Sequence, residues 1–306
     1  MQRKDSSAIE RIAGCNEIPR RVNRTLQARL EFARLARVFA AALLVIGVAS
    51  CSSEDPTGPG DTNGAPPVLP APERLSFDIE FFKDGARAQS GDVTEKDAGT
   101  QLNYFNARVR LAVIQVVAEF VLAPPVGAFA LALHSVPTHQ ADGSYLWVYT
   151  FVDGEEEAQI RLRGTPRGDR VAWEMRVSTN EETPPIVDEL WFEGETWRDG
   201  EAGFWRFHDF RRVGEPVVAR IDWDETNEGA RLVFTDLDEN PGDTLSYIVK
   251  GTRGSIELFD ASELLLSFIR WNEADGTGSL RAPDYNNGAE ACWDRRQNDT
   301  VCSTAS

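Results

Sequence analysis

VVARIDWDE (residues 217–225) alternates apolar and polar side chains with a period of two. One set comprises Val217, Ala219, Ile221 and Trp223, and the set between them comprises Val218, Arg220, Asp222 and Asp224. Successive side chains of a β-strand point to opposite faces of the sheet, so the stretch predicts a strand with one dry face and one wet face. This alternation is typical of antiparallel sheets.

Similar segments recur from residue 143 onwards, at a spacing of roughly ten residues. The connections hold turn-forming pairs such as Asp153-Gly154 and Pro241-Gly242. Strands are expected at 145–152, 157–163, 170–178, 187–197, 201–210, 217–225, 230–236, 244–250, 254–260 and 263–272. We therefore expect a mainly β fold, an antiparallel meander that forms a barrel, a half-barrel or a sandwich.

The stretch before the meander is different in character. We expect one or two apolar helices at about residues 107–134, packed on the sheet, with Pro124-Pro125 ending or breaking the helix. Residues 75–82 (LSFDIEFF) alternate and predict a further strand. Residues 74–306 should form a single β-rich domain.

Charge is distributed unevenly along the 306 residues, whose net charge is −17. Residues 1–50 carry nine basic and four acidic side chains, a net of +5, which leaves −22 for the rest. An acidic body of this kind repels phosphate backbones, so we expect no nucleic-acid partner.

Residues 38–50 (VFAAALLVIGVAS) are apolar and uncharged. Thirteen residues are too few to cross a bilayer, which needs about 20, but they suit the apolar region of a secretory signal. They end in Val48-Ala49-Ser50-Cys51, which resembles the lipobox of bacterial lipoproteins. The resemblance implies a signal peptide over residues 1–50, cleavage before Cys51, diacylglycerol on its sulfur and an acyl group on its new amine.

The leader departs from that class in the length of its basic region, so we expect translation to start later, at Val22 or Leu35. After Cys51, residues 52–73 are rich in Ser, Gly, Pro and Asp and predict a disordered tether. The resemblance also implies a location in the cell envelope. In a Gram-negative host, Ser52 at the position after the cysteine implies the outer membrane, facing the periplasm or the cell surface.

Export implies an oxidising compartment, and acylation of Cys51 would leave Cys292 and Cys302 as the two thiols of the mature chain. We expect a disulfide between them. A redox pair is less favoured because the spacing is not Cys-x-x-Cys, and a zinc site lacks further ligands nearby.

Asp236, Asp238 and Asn240 resemble the opening of a calcium loop, with oxygen ligands at positions one, three and five. The glycine comes one position late and the twelfth residue is Tyr247 instead of Glu, so an acidic hairpin turn is the alternative. Beyond calcium, no cofactor is expected.

Recurrent tryptophans indicate either a sheet core or an aromatic-lined ligand cavity. Neither G-x-S-x-G nor H-E-x-x-H occurs, and His208-Asp209 lacks a nucleophile on a defined elbow, so no catalytic residue is assigned. We expect a non-catalytic envelope lipoprotein with a structural or interaction role, held to the membrane through Cys51 and meeting another envelope protein. The alternatives are a carrier of an apolar small molecule in a lipocalin-like or half-barrel cavity, and a hydrolase.

Overall fold

The computed structural model describes residues 65–71, 79–82, 101–181, 183–197 and 200–302, with the backbone alone at 116–125 and at Asp153. All of them belong to one compact unit, Pro59–Ser306. The predicted signal peptide, Cys51 and most of the predicted tether lie outside the described residues.

One long helix precedes a succession of strands. Helix α1 spans Leu102–Ala132. The strands are β1 Thr138–His139, β2 Tyr145–Asp153, β3 Glu156–Arg167, β4 Arg170–Thr179, β5 Ile186–Trp197, β6 Ala202–His208, β7 Val217–Thr226, β8 Gly229–Asp236, β9 Thr244–Lys250, β10 Arg253–Asp260, β11 Leu265–Asn272, β12 Gly278–Arg281, β13 Ala291–Trp293 and β14 Asp299–Thr300. A 3-10 turn at Asn286–Gly288 separates β12 from β13.

The strands form a single sheet in chain order, and every strand pairs antiparallel with its neighbour in sequence. The predicted mainly β meander is confirmed: β2–β11 correspond to the ten expected strands. The short strands β1, β12, β13 and β14 were not predicted. Within the described residues no pairing joins β1 to β14, so the sheet is open, which is consistent with a half-barrel or a sandwich.

Helix α1 contradicts the expected break at Pro124-Pro125, because a single helix of 31 residues continues through both prolines. Its two ends are fixed by aromatic contacts with the sheet. Tyr104 lies edge-on to Trp293 of β13 at a ring distance of 5.7 Å, and Phe129 packs edge-on against Trp173 of β4 at 5.1 Å. Packing at both ends thus outweighs the local cost of a proline within a helix.

Residues 80–82 form a helical turn, so the strand predicted for 75–82 is wrong in the part that the structure describes. The amide of Phe82 donates to the carbonyl of Ile79 at 2.9 Å. The side chains of Ile79 and Phe82 are both buried, because a helical turn places residues three apart on the same side. A strand would have placed Ile79 and Phe81 on the same face. Phe82 lies edge-on to Trp271 and Trp293.

The inner face of the sheet is filled by indole rings that lie over glycines of neighbouring strands. The cross-strand pairs are Gly164–Trp173, Gly194–Trp205, Gly203–Trp223, Gly254–Trp271 and Gly278–Trp293. A Cβ atom at any of these glycines would overlap the indole. The five tryptophans are at most 4% exposed, so they form the core of the sheet.

No helix among the described residues combines the length and the apolar character required to cross a membrane.

Candidate functional site

The outer face of the sheet has an irregular region where two pairs of β-strands lose their regular register. The pairing of β4 with β5 shifts between Met175 and Arg176 and again between Val177 and Thr179. The pairing of β6 with β7 shifts between Phe207 and His208. Such irregularities redirect side chains, and here residues of β5 lie close to the end of β6 and to the β6–β7 connection. We name this group the carboxylate–histidine cluster: Asp188, Glu189, Glu193, His208 and Glu215.

His208 lies at the centre of the cluster and is 8% exposed. Its Nδ1 is 2.7 Å from the carbonyl oxygen of Glu215. A carbonyl can only accept, so Nδ1 carries the hydrogen and donates it. The Nε2 atom has no hydrogen-bond partner among the described residues, and Oε1 of Glu193 lies 3.8 Å from it. The imidazole is therefore held in one orientation, with Nε2 aimed at a carboxylate.

Glu189 and Glu215 form a carboxyl pair beside the imidazole. The hydrogen bond between their side chains raises the pKa of Glu189 above its ordinary value and lowers the pKa of Glu215. The amide of Leu190 also donates to Oε1 of Glu215 at 3.3 Å, and this further favours the ionised form of Glu215. Two carboxyls in hydrogen-bond contact with separated pKa values are suited to sharing one proton.

The backbone in the cluster is strained at two positions. Asp188 has a φ of 55° and Glu215 a φ of 45°, both in the left-handed region that residues other than glycine rarely occupy. Strain of this kind costs about 1–3 kcal/mol at each residue and persists where the surrounding structure enforces it.

Arginines border the cluster. Nη1 of Arg161 contacts Oδ1 of Asp188 at 2.6 Å, and Nη1 of Arg176 donates to the carbonyl of Asp188 at 2.8 Å. Nε of Arg176 also donates to Glu174 at 2.6 Å. A pocket of about 190 Å³ opens beside them, lined by Leu146, Arg161, Arg163, Glu174, Arg176 and Asp188. Asp188 is the one member of the cluster that lines this pocket, and the Glu189–Glu215 pair, which can hold and transfer a proton, is not part of its lining.

Sequence reasoning missed this cluster. It considered His208 together with Asp209, but Asp209 accepts from the amide of Arg211 at 3.1 Å, and the carboxylates nearest the imidazole come from β5 and from the β6–β7 connection. The sequence gives no signal for that arrangement, since Glu193 and Glu215 are 22 residues apart.

The predicted disulfide is present between Cys292 and Cys302, whose Cα atoms are 5.2 Å apart. It links β13 to the end of the described chain. Among the described residues, the one group of three ligand atoms close enough to hold a metal is Glu290, Cys292 and Cys302. Its two sulfurs are consumed by the disulfide, so the group offers no thiolate.

The predicted calcium ligands lie at the end of β8 and in the β8–β9 turn, and they make contacts within the turn and with Arg212 of the β6–β7 connection. Oδ1 of Asp236 accepts from the amide of Asp238 at 2.8 Å, and Oδ2 of Asp238 is 2.6 Å from Nη1 of Arg212. The carbonyl of Asn240 accepts from the amide of Asp243 at 3.0 Å. These contacts account for the turn without an ion, and the calcium site stays a prediction.

Comparisons with known proteins found no family model, no curated protein and no solved structure that matches the chain.

Proposed function

We propose that the protein is an exported envelope lipoprotein, anchored through Cys51, whose β-rich body has a non-catalytic structural or interaction role. The observation that carries this proposal is the disulfide between Cys292 and Cys302. Disulfides persist in oxidising compartments outside the cytosol, so the bond supports export independently of the leader sequence.

The packing of the inner face favours a structural role over carriage of a ligand. Indole rings and the ends of helix α1 occupy this face where its side chains are described. A carrier would need an apolar cavity of several hundred Å³ in the same place. The polar outer face, crossed by ion pairs such as Arg206–Glu193 and Arg270–Glu257, suits contact with water or with a polar partner.

Metabolic labelling with a palmitate analogue tests the anchor. The wild-type chain expressed in a Gram-negative host should incorporate the label and fractionate with the envelope. Cys51→Ser should not incorporate it, and Cys15→Ser, the matched control upstream of the predicted cleavage point, should label as the wild type does. Equal labelling of Cys51→Ser and wild type would refute anchoring at this residue.

A hydrolase is the second candidate, favoured by the Glu189–Glu215 carboxyl pair beside a fixed imidazole. Such a pair could supply both a general acid and a general base. Chromogenic glycosides and esters would test this candidate with wild type and Glu215→Gln. Hydrolysis that is lost in Glu215→Gln while the fold is retained would favour the hydrolase, and no hydrolysis by wild type would favour the non-catalytic role.

A further inference from the structure

Helix α1 has two opposite apolar faces. The inward face packs on the sheet, and its members in the first half of the helix are at most 2% exposed: Tyr104, Ala107 and Leu111. The opposite face carries four large apolar side chains that are 47–58% exposed, and we name it the outer stripe: Leu102, Phe105, Val109 and Val113. Spacings of three and four residues align these side chains along the helix, over a length of about 16 Å.

The outer stripe does not pack on the sheet, because the inward face of α1 already makes the contacts between this part of the helix and the sheet. Tyr104 lies edge-on to Trp293 at 5.7 Å, on the side opposite the stripe. An ordered row of exposed apolar side chains on a helix is typical of a surface that meets a partner or a membrane.

Charge around the outer stripe favours a lipid surface. Residues 101–115 contain two basic side chains, Arg108 and Arg110, and no acidic one, although the chain after residue 50 has a net charge of −22. Arg110 pairs with Asp284 at 3.0 Å, and the amide of Asn103 donates to Oδ1 of Asp299 at 2.8 Å, so two acidic side chains balance the two arginines near the stripe. Surroundings that are close to neutral repel anionic headgroups less than a surface with the acidic excess of the rest of the body.

The length of the chain after the proposed anchor keeps the body within reach of the membrane. Fourteen residues, 51–64, separate the proposed anchor from the first described residue, and even fully extended they reach at most about 50 Å. Pro70, within the predicted tether, is buried and packs against Gly200 in the β5–β6 turn.

Helix α1 begins at that same edge of the sheet. The side chain of Gln101 donates to the carbonyl of Arg296, in the β13–β14 turn, at 3.2 Å. In an antiparallel meander every second connection lies at one edge, so the β5–β6 and β13–β14 turns share an edge. The chain from the anchor thus meets the body on the same edge of the sheet as the N-terminal end of α1, at strands eight positions away in the sheet order.

We propose that the outer stripe rests on the lipid surface that holds Cys51, so that the body lies on the membrane instead of standing away from it. This inference depends on the proposed anchoring at Cys51.

The test uses the acylated protein in vesicles of phosphatidylethanolamine and phosphatidylglycerol. With Cys51 acylated and Cys292–Cys302 bonded, Val109→Cys supplies the free thiol for a fluorophore. Val148→Cys is the matched control, because Val148 on the outer face of β2 is 49% exposed and Val109 is 47% exposed.

Brominated lipid should quench the fluorophore at position 109 and not at 148, and aqueous iodide should quench at 148 severalfold more strongly. Phe105→Ser and Val113→Ser, added to the labelled protein, should shift the equilibrium between lipid-bound and free outer stripe about tenfold towards the free form. The shift is read from the loss of brominated-lipid quenching at position 109.

Equal iodide quenching at both positions in acylated, vesicle-bound protein would refute the contact between the outer stripe and the lipid. It would leave the proposed anchoring at Cys51 unaffected. Protection of position 109 from iodide without quenching by brominated lipid would place another protein copy on the stripe and would also overturn the inference. Failure of the anchor is recognised separately, by the mass of the Cys51 peptide and by flotation with the vesicles. A protein without acylation that does not float would overturn both proposals.

Discussion

Replacing Trp205 by alanine tests whether the aromatic inner face is the core of the protein. Trp205 is fully buried and touches three other rings at centroid distances of 5.2 Å: Phe129 of α1, Phe192 of β5 and Trp223 of β7. A buried aromatic side chain removes about 150–250 Å² from water, worth about 4–6 kcal/mol at 25 cal/mol/Å². Measured losses for such truncations are about 3–5 kcal/mol.

We therefore expect Trp205→Ala to lower the free energy of unfolding by about 3–5 kcal/mol, measured by urea denaturation followed by far-UV circular dichroism. Trp197→Ala is the matched control. Trp197 belongs to the same sheet but lies half-buried on the outer face under the guanidinium of Arg170, and its loss should cost about 1–2 kcal/mol.

A loss below about 1 kcal/mol for Trp205→Ala would refute this reasoning. It would mean that the ring is not held in a close-packed core, and it would revive the alternative that the tryptophans line a cavity for an apolar ligand.

Three further outcomes follow from contacts outside the core. Replacing Cys292 and Cys302 together by serine should cost about 2–3 kcal/mol in the same urea assay, since a loop of this length loses that much closure entropy, and an unchanged midpoint would contradict it. Backbone amides of the following turn lower the pKa of Asp294, so its stabilisation is complete above the unfolded-state value of about 3.9 and is lost as the pH falls through the folded value. An NMR titration should place the midpoint of Asp294 below that of a model peptide, and a midpoint at or above it would refute the assignment. The raised pKa of Glu189 gives the opposite pH dependence. The stabilisation from Glu189 is complete below its unfolded-state pKa of about 4.3 and is lost as the pH rises through its folded-state pKa. Glu189→Gln keeps a donor towards Glu215 at every pH, so the urea midpoint should vary less than in wild type across this range, and an identical pH profile would argue against the carboxyl pair.

Residues of this chain differ in how much of their structure could be predicted. The alternation in 217–225 predicts β7 almost to its ends, because a period of two is compatible with only one backbone geometry. Turn pairs such as Asp153-Gly154 mark the connections for the same local reason: glycine takes the positive φ of 64° that the turn requires. The pairing of Cys292 with Cys302 followed from the compartment that the leader implies, not from local geometry.

Tertiary structure decided the features that local preferences oppose or do not encode. The helix through Pro124-Pro125 is held because Tyr104 and Phe129, near its two ends, pack on Trp293 and Trp173 of the sheet. The turn at 79–82 forms because it buries Ile79 and Phe82 together.

The candidate site depends even more on long-range contacts. His208 meets Glu193 and Glu215 only after register shifts on two strand pairs have redirected these side chains, and register is a property of the assembled sheet. The sequence by itself therefore determined the β class and the positions of β2–β11, because period-two alternation is a local property, and it supplied the location in the cell envelope only as a prediction. The helix path and the carboxylate–histidine cluster came from packing between elements, because their energies arise between residues that are distant in the chain.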